Sequence, residues 1–152
     1  MTSSAQVHRR TALRAGLAGT ALLLVRPARA QADVLAAPLA AFTGGVTPKT
    51  GRVTLEIAEL VENGNTVPVT VRVASPMTEG DYVRRIALFA ERNPDPAVAV
   101  FHLSPRNGRA VIATRMRLAT SQQVLAVAMM SNGSCWQAAL EVVVTLAACV
   151  EG

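Results

Sequence analysis

Aromatic residues make up only 3% of this chain, with one tryptophan, one tyrosine and three phenylalanines among 152 residues. So small an aromatic set leaves little surface on which single-stranded nucleic-acid bases could stack, and it requires an aliphatic core. Charged residues stand at 16% against 51% hydrophobic ones, which excludes a disordered, solvating chain. Histidine is nearly absent. Beyond His8 in the basic N-terminal stretch there is only His102, and Cys135 and Cys149 lie far from it in sequence, so the ligands of a zinc site are not naturally provided. No serine sits in a strand-to-helix elbow, and Gly44-Gly45 lacks the following lysine and helix pattern of a phosphate-cradling loop.

The net charge of +5 points toward acidic partners only until it is located. Of the 15 basic residues, Arg9, Arg10, Arg14, Arg26 and Arg29 all lie in the first thirty positions, which leaves 10 against 10 acidic residues. The excess belongs to the leader, and nothing in the remaining charge calls for nucleic acid. The leader itself has the layout of a cleaved export signal. A basic stretch, His8 to Arg14, precedes a weakly apolar run from Ala15 to Val25, and Ala28-Arg29-Ala30-Gln31-Ala32 offers small-x-small cleavage after Ala30 or Ala32. That run is too short for a permanent membrane span and is diluted by Gly16, Gly19 and Thr20, so no stable membrane anchor is expected. The Arg9-Arg10 pair, the mild hydrophobicity and the extra Arg29 suit twin-arginine export of an already folded chain. The expected organisation is a signal peptide over 1–32 and one domain over 33–152, located in the oxidising periplasm.

After the leader, Val34 to Phe42 reads as a short helical segment broken internally by Pro38 and ended by Gly44-Gly45 and Pro48. From Arg52 the period becomes two. Val53, Leu55 and Ile57 share one face; Val67, Val69, Val71 and Val73 share another, opposite Thr70 and Arg72. Further strand runs cover Val83 to Glu91, Ala97 to Leu103, Arg109 to Leu118, Gln122 to Met130 and Cys135 to Cys149. Asn107-Gly108 and Asn132-Gly133 supply the positive φ angles of tight hairpins. About seven short strands with regular turn signals predict an all-β fold, an immunoglobulin-like antiparallel β-sandwich with a short N-terminal helical segment; a small barrel is the competing architecture.

Few residues are candidates for chemistry. His102 lies in an alternating strand, where a histidine satisfied by backbone is the plainer reading than a general base or thiol partner. Arg84-Arg85 and Arg115-x-Arg117 could hold an anion, but solvated strand positions account for them more simply. The two cysteines stand fourteen residues apart on one strand run, which at roughly 3.3 Å per residue separates them by about 46 Å. A disulfide needs Cα atoms within about 7 Å, so the two do not pair with each other. Trp136, Ala138, Leu140, Val142, Val144 and Leu146 form the apolar face of the last strand, and Cys135, Gln137, Glu141 and Thr145 lie opposite. Val143 on that second face suggests cover by a partner subunit. Cys135 sits beside the hairpin and the tryptophan, either as a plain strand-end residue or as a redox thiol. Cys149 stands three residues from the C-terminus, beyond the apolar alternation. There it suits delivery of a reactive thiol to several sites.

Several stretches together resemble a known family. They are Phe42-Thr43-Gly44-Gly45, Glu62-Asn63-Gly64-Asn65-Thr66 with Val67 to Val71, Ser75-Pro76-Met77-Thr78, Asp81-Tyr82-Val83, Ile86 to Ala90 and Asn93-Pro94. Phe101-His102, Thr114 to Ala119, Val124 to Ala128 and Ser131-Asn132-Gly133-Ser134 continue the likeness. The chain resembles SoxY, the sulfur-carrying subunit of the periplasmic thiosulfate-oxidising system, across nearly the whole mature length. The resemblance implies an immunoglobulin-like sandwich, a heterodimer with a SoxZ-like subunit, and covalent attachment of sulfur intermediates to Cys149. It also implies that heme-containing and hydrolase partners make and break the bonds, so that this chain is a carrier and no enzyme, with no cofactor beyond the sulfur on Cys149.

The departure from the family lies at the arm. Where the family's arm typically ends Gly-Gly-Cys-Gly-Gly, this chain has Ala147, Ala148, Cys149, Val150, Glu151 and Gly152. Alanines stiffen the approach that glycines leave flexible and thin. Val150 adds bulk beside the thiol. Glu151 and the terminal carboxylate add negative charge, which disfavours a thiolate and repels an anion such as thiosulfate. Two function classes follow: a covalent sulfur carrier using Cys149, or a divergent SoxY-like interaction module that no longer cycles. A thiol enzyme acting alone is weak, because no base is placed for Cys149.

Overall fold

The structure is a computed structural model that describes residues 34–146. The expected leader, residues 1–32, and the expected arm, residues 147–152, lie outside the described residues. The elements are α1 (Ala36–Thr43), β1 (Lys49–Thr50), β2 (Val53–Ile57), β3 (Leu60–Asn63), β4 (Val67–Val73), β5 (Val83–Ala90), β6 (Ala97–His102), β7 (Ala110–Met116), β8 (Gln122–Met130) and β9 (Cys135–Leu146). They form an all-β sandwich. One sheet has the order β1-β9-β8-β5-β6, with β3 also paired to β9; the other has the order β2-β4-β7.

The seven strand runs expected from periodicity are all present, and two short strands are additional. Both additions, β1 and β3, pair in parallel with β9 at its two ends. With only two and four residues they are too short to register as an alternation. β4 carries the clearest period: Val67, Val69, Val71 and Val73 are buried while Pro68 and Arg72 are exposed. Pro68 is tolerated because β2 pairs only with Val69 to Val73, so its missing N–H leaves no gap in that ladder. β5 and β8 are different. From Val124 to Met130 every residue of β8 is buried, because the strand is covered on both faces.

The inner face of the large sheet packs on β2-β4-β7, around residues such as Val71, Ile86, Leu88, Val124 and Val142. The outer face carries a second cluster in which Leu35 and Phe42 of the helical segment cover Ala87, Phe89, Leu125, Val127, Met129 and Cys135. The rings of Phe42 and Phe89 meet edge to face at 6.1 Å. Pro38 does not break the helix as expected. It lies in the first turn of α1, where a backbone N–H has no helical partner to lose. Gly44 closes the helix in the left-handed region, φ 66°, and its N–H donates to the Ala40 carbonyl.

The two Asn-Gly pairs also diverge. Asn132-Gly133 makes the expected hairpin: Gly133 has φ 83°, Met130 N donates to Ser134 O at 2.9 Å, and Met129 faces Cys135. Asn107-Gly108 instead ends a single 3-10 turn, Pro105–Asn107, that carries the chain from β6 in one sheet to β7 in the other.

Candidate functional site

The arm expected to carry the chemistry is the direct continuation of β9, so its geometry begins with how that strand is held. On one side, Val143 N donates to Glu59 O at 2.7 Å, and Gly64 N donates to Leu146 O at 3.0 Å. The Thr145 hydroxyl donates to Glu62 O at 3.1 Å. On the other side Val142 pairs with Gln122, and beyond that residue the Ser121 hydroxyl takes over, accepting from Val144 N at 2.9 Å. Hydrogen bonds on both sides therefore fix β9 through its last residues. Cys149 is three residues past Leu146, a reach of about 10 Å along the chain.

The same end of the sheet contains a compact polar hub. The Gln122 amide donates to Asn93 Oδ1 and to Thr120 O, both at 3.0 Å, while its oxygen accepts from Arg92 N at 2.8 Å. Asn93 Nδ2 donates to Arg117 O at 2.8 Å, and its oxygen accepts from Ala119 N at 3.0 Å. Gln122 is buried and fully satisfied. In the sequence Asn93-Pro94 reads as a turn, whereas Ser121, Gln122 and Gly64 carry no signal as anchors, since their partners are distant in sequence and follow no periodicity.

The alternation puts Leu146 on the core face of β9, yet it is 70% exposed. Val143 was expected to lie on a face only partly covered by its own chain. It is 52% exposed, beside Leu60 at 63%, its partner in the β3–β9 register.

Cys135 is a different case. The face around it was expected to be covered by a second subunit, but Leu35, Phe42 and Met129 of the same chain cover it, and it is buried. It is free of any disulfide. Burial pushes its thiol above the ordinary value, with the nearby Arg85 guanidinium acting more weakly in the opposite sense. A thiol so placed is poorly nucleophilic and inaccessible. The helical segment covering it was visible in sequence; what it would cover was not.

His102 lies exposed at the end of β6, opposite Arg85. Arg115 and Arg117 are exposed on and just beyond β7, in keeping with solvated positions. Among the described residues no three His, Cys, Asp or Glu side chains come together to hold a metal ion, and no helix is long and apolar enough to cross a membrane.

Comparison with known proteins agrees with this architecture. The model of the family "Sulfur oxidation protein SoxY" matches residues 39–149, a span that runs through β9 to Cys149 itself. The solved structure of the sulfur carrier protein SoxY from Chlorobium limicola f thiosulfatophilum is similar with a TM-score of 0.63 and 30% identity, covering 74% of this chain and 97% of that one. A superoxide reductase (neelaredoxin) from Ignicoccus hospitalis shares the fold at a TM-score of 0.55 and 19% identity, covering 68% of this chain and 86% of that one. The superoxide reductase from Nanoarchaeum equitans does so at 0.53 and 13%, covering 63% and 100%. At those identities the likeness extends to the fold alone. No curated protein sequence matches the chain significantly. A match over 39–149 that takes in both sheets and reaches the cysteine beyond β9 shows that the chain belongs to the SoxY family.

Proposed function

We propose that this protein is a covalent carrier of sulfur intermediates in thiosulfate oxidation, bound through the thiol of Cys149 and presented to partner enzymes. The observation that carries the reading is the contrast between the two cysteines. Cys135 is buried under α1 with its thiol pushed toward the protonated form. Cys149 follows a strand held firmly to Leu146 and is the last residue of the family match. A rigid strand leading into the segment that bears Cys149 lets a thiol be presented without disturbing the core.

In this reading heme-containing and hydrolase enzymes of the Sox system do the bond making and breaking. A SoxZ-like subunit completes a heterodimer, and the exposed Leu60–Val143 pair between β3 and β9 is suited to its cover. The second reading, an interaction module that no longer cycles, is favoured by one feature: Ala147, Ala148, Val150 and Glu151 stand where the family typically has glycine. Intact-mass measurement of protein recovered from its periplasm separates the two. A reductant-labile sulfur adduct on Cys149 supports the carrier. A permanently bare or capped thiol supports the module.

Location in the periplasm by twin-arginine export is part of the same proposal. Replacing Arg9 and Arg10 with lysine should leave unprocessed precursor in the cytoplasm, detected by fractionation and immunoblot, and a leaderless SoxZ-like partner should be retained with it. Normal processing of the double variant would refute that route.

A further inference from the structure

Arg84 and Arg85 are adjacent in β5, and in an uninterrupted strand they would point to opposite faces. The register breaks there. Val83 faces Met130 and Arg85 faces Met129, so Arg84 is an extra residue in a β-bulge. Val83 and Ile86 on either side are both fully buried in the core between the sheets. The inserted residue lets both neighbouring arginines stay out of that core, Arg84 exposed and Arg85 half-buried, and both line a cleft of about 350 Å³ with Tyr82, His102 and Leu103. His102 is brought in by its register opposite Arg85.

The charge in this cleft is uncompensated and partly fixed. Among the described residues no Asp or Glu lines it, and Asp81, next to Tyr82, is paired with Arg52 at 3.3 Å. Arg85 is held in position: its Nη2 donates to Phe42 O and approaches Met129 Sδ, both at 3.2 Å, and its guanidinium lies 5.0 Å from the Phe42 ring centroid. These contacts engage one nitrogen and leave the other N–H groups of the fork available. Arg84 makes no side-chain hydrogen bond or ion pair with the described residues. Two guanidiniums, an imidazole and a phenol around one cleft present N–H and O–H donors, a set that suits a compact oxyanion.

Sulfur carried on Cys149 of the same chain does not supply that anion. β9 runs 12 residues from Cys135, near the cleft, to Leu146, about 36 Å away along the strand. Cys149 lies three residues past Leu146, a reach of about 10 Å along the chain. We propose that the cleft formed by Tyr82, Arg84, Arg85 and His102 is a binding site for a small, free, dianionic oxyanion of the sulfate, thiosulfate or phosphate type. The site depends on no arm residue and stands or falls separately from sulfur carriage on Cys149.

The test is an NMR titration of the full mature chain with sodium sulfate, sodium thiosulfate or sodium phosphate, against sodium chloride at equal ionic strength. Saturable amide shifts confined to the segments around Tyr82–Ile86 and Phe101–Leu103 are expected, with at least tenfold weaker binding in the Arg84→Gln/His102→Gln variant and unchanged binding in Cys149→Ser. Tighter binding of sulfate or thiosulfate than of phosphate identifies sulfur oxyanions as the ligand, the reverse identifies phosphate, and either order upholds the oxyanion site. Arg84→Gln alone, at an exposed position, serves if the double variant does not fold, and a severalfold weakening is then expected. Shifts that chloride reproduces, that fail to saturate, or that survive these substitutions overturn the proposal.

Discussion

Replacing Cys149 with serine is expected to abolish covalent sulfur loading while moving the melting temperature by no more than about 2 °C. The loss is complete because a hydroxyl does not replace a thiolate as the attachment point at neutral pH. The small thermal effect is expected because the core between the sheets and the hydrogen bonds that hold β9 are complete by Leu146, and substitutions away from core packing stay within about 0.5 kcal/mol. Cys135→Ser should show the opposite profile. Its thiol is packed among Leu35, Phe42 and Met129, so a hydroxyl there costs on the order of 1–2 kcal/mol for poorly satisfied burial, and loading should persist. Intact mass after exposure to thiosulfate with the Sox enzymes, alongside thermal unfolding, reads both outcomes. Loss of loading in Cys135→Ser, with loading retained in Cys149→Ser, would reverse the assignment. In the same assay, glycine at Ala147, Ala148, Val150 and Glu151 should raise the rate of loading severalfold if stiffness, bulk and charge limit the arm. An unchanged rate would mean that the native arm already works without hindrance.

The strands could be read from the sequence because their chemistry is periodic. Val67, Val69, Val71 and Val73 alternate with polar or proline positions, and a pattern of period two has one structural meaning on a half-buried sheet. The second layer of the molecule was not readable in that way. α1 has little amphipathic pattern, and the apolar residues it covers, such as Phe89 and Val127, lie in strands that are apolar on both faces. Nothing in such strands says which second cover they have, a partner or the chain's own helix. The fate of Cys135 turned on that choice. The end of β9 presents the reverse situation: a cysteine beyond the alternation stands out in sequence as the proposed attachment point, while the anchors of the strand, the Ser121 hydroxyl bonded to both the N–H and the carbonyl of Val144 and the Gly64 N–H bonded to Leu146 O, leave no trace in composition. The bulge at Arg84 is likewise a matter of register between two strands, and a pair of arginines in isolation reads more simply as ordinary solvated surface.

Phe42→Ala tests the second layer directly. The ring is buried, meets Phe89 edge to face at 6.1 Å and supports the Arg85 guanidinium at 5.0 Å. Its removal should cost about 3 kcal/mol, the transfer free energy of the ring together with the cavity left between α1 and β8, and lower the melting temperature by on the order of 10 °C. The effect on Cys135 is more specific. With the cover thinned, less desolvation acts on the thiol, so its raised pKa should move back toward the ordinary range. In the intact protein the raised folded value means that the unfolded thiol ionises first as pH rises. This contribution to stability is therefore fully present below the unfolded thiol pKa and is lost as pH climbs through the folded one. In Phe42→Ala that alkaline loss should shrink, and alkylation of Cys135 at pH 8 should accelerate on the order of tenfold or more. Placing the substitution in a Cys149→Ser background makes Cys135 the sole thiol, so iodoacetamide labelling followed by intact mass reports it alone. Sulfur loading in the otherwise native chain should continue, because the pinned end of β9 lies far along the strand from Phe42. A Phe42→Ala protein that melts normally and still shields Cys135 would show that α1 does not provide its cover.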